Sequence, residues 1–79
     1  MITLNEYQKL MIKHSSTRLN AGSIRQEMMQ TINALGFAKN DEELRDSLGE
    51  ILRLVAVYAG GKLIALDDVV DKSVKKAQA

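Results

Sequence analysis

Apolar residues recur three and four positions apart along almost the whole chain, and no proline interrupts the pattern. That period belongs to amphipathic helices, not strands. Four helices are predicted. The first begins at Thr3, where Thr3-Leu4-Asn5-Glu6 is a capping box. Leu4, Tyr7, Leu10 and Met11 mark its apolar face, and it fades after His14, where Ser15, Ser16 and Thr17 compete for backbone hydrogen bonds. Ser15 to Gly22 reads as a connection. Ser23 is the expected cap of the second helix, with Gln26 in the capping-box position and Ile24, Met28, Ile32 and Leu35 as its stripe. Gly36 suits a left-handed closing turn, with Phe37 folding back onto the helix. Asn40 or Asp41 caps the third helix, and Asp41, Glu42 and Glu43 suit the positive end of its dipole. Leu44, Leu48, Ile51, Leu52 and Val55 give it a broad apolar face. From Leu54 to Ala59 it is apolar all round, which predicts burial on more than one side, and Gly60-Gly61 is the expected stop. Asp67 is the expected cap of a fourth helix, with Leu66 as a staple and Val69, Val70 and Val74 as a thin apolar edge. Lys72, Lys75 and Lys76 lie near its negative end. No sheet is expected.

A chain of 79 residues forms one domain, spanning 1–79, and buries only a modest core. It has no cysteine, so neither disulfides nor thiolate metal sites can reinforce it. Self-association is the remaining route to a larger core. The expected fold is therefore all-α, a small antiparallel bundle of four helices, oligomeric as a homodimer or homotetramer. Its expected core is Leu10, Ile24, Met28, Ile32, Leu35, Leu44, Leu48, Ile51, Leu52, Val55 and Val70. A net charge of +1 gives no general attraction to nucleic acid or to an anionic membrane. The longest apolar stretch, Leu54 to Gly61, is too short to cross a bilayer. The start of the chain lacks the order of a signal peptide, and a cysteine-free chain fits a reducing cytoplasm.

Chemistry concentrates in two acidic pairs, one of them altered. Glu43-x-x-Asp46 sets two carboxylates one helical turn apart, and Glu50 extends the stripe. Glu27-x-x-Gln30 has the same spacing but ends in an amide. Carboxylates beside a core need cations or donors, and hard divalent ions such as Mg²⁺ take oxygen ligands of this kind. The alternative is an exposed acidic edge paired to Arg45, Arg53 or a neighbouring lysine, with Glu27 capping its helix or pairing with an arginine. The single histidine, His14, has no partners for a triad or zinc site and reads as a helix terminus. Met11, Met28 and Met29 read as core fillers. A helix-turn-helix reading is opposed by the acidic start of the third helix.

Leu4-Asn5-Glu6-Tyr7-Gln8 and Glu42-Glu43-Leu44-Arg45-Asp46-Ser47-Leu48, followed by an apolar helix and a short lysine-bearing one, resemble the MazG-type all-α nucleoside triphosphate pyrophosphatases. That family's motif is Glu-x-x-Glu, a spacer, then Glu-x-x-Asp; here twelve residues separate the two pairs. The resemblance implies an oligomeric helical fold and cleavage of a nucleoside triphosphate to monophosphate and pyrophosphate, dependent on Mg²⁺ or Mn²⁺. By position it makes Glu27, Glu43 and Asp46 metal ligands and catalytic residues, with Gln30, Glu50, Lys72 and Lys75 toward the substrate. The chain departs from the family in Gln30, in Lys72 where many members have asparagine, and in a compressed connection before Ser23. Those departures motivate a second expectation: a non-catalytic helical oligomer that binds a nucleotide or a protein partner, of the kind that serves as a phage or mobile-element accessory protein.

Overall fold

In the computed structural model, residues 1–15 and 20–79 are described. They form α1 (Leu4–His14), α2 (Ala21–Leu35), α3 (Asp41–Gly61) and α4 (Leu66–Gln78), with no strand among the described residues. The fold is all-α. None of these helices is long and apolar enough to cross a membrane. The central part of the expected connection, 16–19, lies outside the described residues.

The capping box of α1 is present: the Glu6 amide donates to Thr3 Oγ1 at 3.1 Å and the Thr3 amide to Glu6 Oε1 at 3.4 Å. α2 starts earlier than expected. Its cap is Asn20, whose Oδ1 accepts from the amides of Gly22 (2.8 Å) and Ser23 (3.2 Å), so Ser23 is already inside the helix. Asparagine caps as well as serine does, and here it satisfies two orphan N–H groups at once. At the far end Gly36 is right-handed, with φ −66° and ψ −14°, and Phe37 is 80% exposed, so neither the left-handed closure nor the contact back onto α2 is present.

The end of α3 also departs from expectation. The helix runs through Gly60 and Gly61 and closes at Leu63, whose φ is 60°. The Ile64 amide donates to Ala59 O at 2.9 Å and the Leu63 amide to Gly60 O at 3.0 Å, a Schellman closure with leucine in the left-handed position. Gly60 serves a different purpose: a Cβ there would run into the Ile12 side chain, 3.2 Å from its Cγ1. The glycine sets the close approach of α1 to α3.

Asp67 does not cap α4, which begins at Leu66 after Ala65, a residue with no side chain able to cap. The missing acceptors come from α1. Gln8 Oε1 accepts from the Leu66 amide at 2.9 Å, and Asn5 Oδ1 accepts from the Asp67 amide at 3.3 Å. The Gln8 amide group is itself buried and donates to Ala56 O (3.1 Å) and Ile64 O (2.9 Å). One side chain thus satisfies the α3–α4 turn from inside.

Packing centres on α3. α1, α2 and α4 all lie against it and α1 also touches α4, whereas α2 meets α3 alone among the described residues. The buried apolar set is Ile24, Leu54, Ala56, Val57, Ala59 and Leu66, with Met11, Met28 and Tyr58 packed against it. In the all-round apolar end of α3, Leu54, Ala56, Val57 and Ala59 are buried and Val55 and Tyr58 half-buried, in line with its composition. Of the expected core, Ile24 is buried and Met28, Leu35, Ile51 and Val55 are half-buried, but Leu10, Ile32, Leu44, Leu48, Leu52 and Val70 are exposed. Met29 is exposed too. Among the described residues, the other helices leave these side chains more than a third exposed.

Candidate functional site

The middle of α3 carries the ionisable groups with the most developed contacts. Arg53 Nε donates to both carboxylate oxygens of Glu50, at 3.1 and 3.2 Å, and Nη2 also donates to Glu50. The spacing of three along α3 brings them together on one stripe. Nη2 also lies 3.9 Å from Glu27 Oε2 on α2. Packing of Ile24 and Met28 against Leu54 and Val57 fixes the position of Glu27, since it is carried on the same turns of α2. The guanidinium therefore sits between carboxylates from two helices.

Its electrostatic effect is direct. Hydrogen bonding to Arg53, reinforced by the guanidinium charge, holds the Glu50 carboxyl below the ordinary glutamate range, against partial burial, which acts in the opposite sense. Arg53 is raised in turn, first by its bonds to Glu50, with Glu27 adding attraction. Both groups are charged at neutral pH, and the Glu50 carboxylate already has its cation. Of the acidic edge Glu43, Asp46 and Glu50, only Glu50 pairs with Arg53 among the described contacts, and Glu27 lies near the same arginine.

The other acidic residues are arranged differently. Glu43 belongs to the cap of α3: its amide donates to Asn40 Oδ1 at 2.9 Å, and Asn40 Nδ2 donates to Glu43 Oε2 at 3.2 Å. Asp46 and Gln30 are exposed. Among the described residues, no three His, Asp or Glu side chains are grouped so as to hold a metal ion. Glu27 is joined to Glu50 through Arg53, while Glu43 is engaged at the start of its own helix. On α4, Lys75 pairs with Asp71 at 3.0 Å. Lys72 and Lys76 line a groove of about 520 Å³ with Ile64, Val69, Asp68 and Ser73. His14 closes α1, as its position predicts.

Two features carry more weight than their sequence signal suggests. Gln8 falls on the apolar stripe of α1, four residues after Leu4 and three before Met11, and a polar side chain at such a position calls for buried partners. The other is the row Leu44, Leu48 and Leu52, legible as an apolar face, which the single chain leaves open. Comparison of the chain with protein families, with characterised proteins and with solved structures finds no match.

Proposed function

We propose that this chain is a non-catalytic helical interaction module that acts by docking the open apolar flank of its α2–α3 pair. The observation that carries the reading is the row Leu44, Leu48 and Leu52, one turn apart on α3 and 38%, 50% and 48% exposed. Side chains four residues apart on a helix are neighbours, so the three form one strip. Ile32, one turn beyond the packed Met28 on α2, is 53% exposed as well. Scattered exposed leucines are ordinary, but a contiguous strip marks a contact surface. Covering one half-exposed leucine contributes about 1 kcal/mol. Arg53 supports the same reading, because it already pairs with Glu50 and lies 3.9 Å from Glu27. Incubation with a panel of nucleoside triphosphates and Mg²⁺ or Mn²⁺ is expected to release no pyrophosphate; turnover abolished by Glu27→Gln would sink the reading.

One observation favours a second reading, Mg²⁺- or Mn²⁺-dependent pyrophosphate release from a nucleoside triphosphate: Glu27 and Glu50 approach one another from two helices. Under it, Glu27, Glu43 and Asp46 hold the metal, and Gln30, Glu50, Lys72 and Lys75 face the substrate. Carboxylates that hold a dication neutralise phosphate charge through it and activate water. Arg53 would have to move aside, and Gln30 supplies one charge fewer than an acid. Turnover appearing only in Gln30→Glu would assign the natural chain to binding.

A further inference from the structure

We infer that the open flank is covered by a second copy of this chain, in a symmetric dimer with α3 crossing α3 near Leu48. The inference rests on the interaction-module reading and names its partner.

The first argument is area. The chain exposes 6284 Å². A compact monomer of its mass, 8.8 kDa, exposes about 4,800 Å². The excess, roughly 1,500 Å² over the whole chain, leaves room for the ~800 Å² that each partner commonly contributes to a stable interface. The second argument is the poverty of the core. Leu54, Val57 and Leu66 are the largest fully buried side chains, and the chain has no cysteine to add a cross-link. Chains of this size reach stability through such links, metals or association.

The spacing of the row also suits a copy of the same chain. A two-fold contact is self-complementary: where one residue meets another, the reverse pair also meets. The row has that symmetry in its spacing, with Leu44 and Leu52 each four residues from Leu48. A two-fold axis at Leu48 places Leu44 against Leu52 of the second copy and Leu48 against itself. Ile51 and Val55, half-buried beside the row, widen the contact. At 3.6 residues per turn Arg53 and Glu50 fall about 140° and 160° around α3 from Leu48, so a contact centred on Leu48 leaves that ion pair outside it. A net charge of +1 leaves two copies with little mutual repulsion.

The absence of cysteine makes a clean test possible. Leu48→Cys in the full chain, under mild oxidation, is expected to cross-link to a covalent dimer, because an axis at Leu48 brings the two sulfurs together. Ser73→Cys, on α4, is expected to remain uncross-linked under the same conditions. Sedimentation equilibrium of the unmodified chain is expected to give twice 8.8 kDa. A helical monomer at 100-fold the protein concentration needed for detection, or equal cross-linking at both cysteines, would overturn the inference. If that monomer also releases no pyrophosphate, the module reading stands with a different protein on the flank. If it turns nucleotides over, both readings fail together.

Discussion

Leu63 holds a backbone conformation that glycine adopts freely and leucine does not. Its side chain is 95% exposed, so no packing is lost on removing it. Left-handed backbone costs an L-residue about 1–2 kcal/mol, partly offset by the greater chain entropy glycine loses on folding. Leu63→Gly is therefore expected to stabilise the fold by roughly 0.5–1 kcal/mol, read as a rise of a few degrees in thermal midpoint; Leu63→Val should lower it. Glu50 gives the pH dependence. Its folded carboxyl titrates below its unfolded one, so the pair stabilises the protein above the unfolded glutamate pKa and the contribution is lost as pH falls through the folded value. With the Glu50 side chain 43% exposed, solvent screening keeps the contribution under about 1 kcal/mol. Denaturant titrations at several pH values should show a shallower loss of stability on the acid side in Glu50→Gln than in the natural chain.

Local features of the helices are written in the sequence where both partners sit within one turn. The capping box at Thr3 and Glu6, the acidic start of α3 at Asn40 and the Arg53–Glu50 pair are separations of three. α4 could not be bounded in this way, because its caps come from Asn5 and Gln8, 62 and 58 residues away. Ser23 was the expected cap of α2 and Asn20 is the observed one; both residue types cap well, so residue type alone does not place the start of the helix. Of the expected site, the Glu50 contact was local, whereas the approach of Glu27 to Arg53 depended on α2–α3 packing. A helical wheel likewise identifies Leu44, Leu48 and Leu52 as one face without saying what covers it. The remote capping makes a prediction about α4 alone. Asn5→Ala is expected to cost about 1 kcal/mol, with faster hydrogen exchange at the Asp67 amide and little change along α2.

For the molecule as a whole, docking of a second copy on the open flank would couple association to folding. Ligation of a folded chain by its own copy raises its stability by mass action, so the thermal midpoint should climb with protein concentration. Leu48→Asp is expected to remove that dependence and leave a helical monomer, since Leu48 is already half exposed within one chain. If it instead erased the circular-dichroism signal, the fold would need its partner to exist at all. The amide of Gln8 imposes an order on how this protein can be made. Its partners Ile64 and Leu66 lie 56 and 58 residues later in the chain. During synthesis this side chain must stay hydrated until those residues have been translated, and α4 cannot settle until it is captured. Any stalled or shortened product ending before Ile64 would therefore leave the first helix without its anchor, a ready substrate for quality-control proteases.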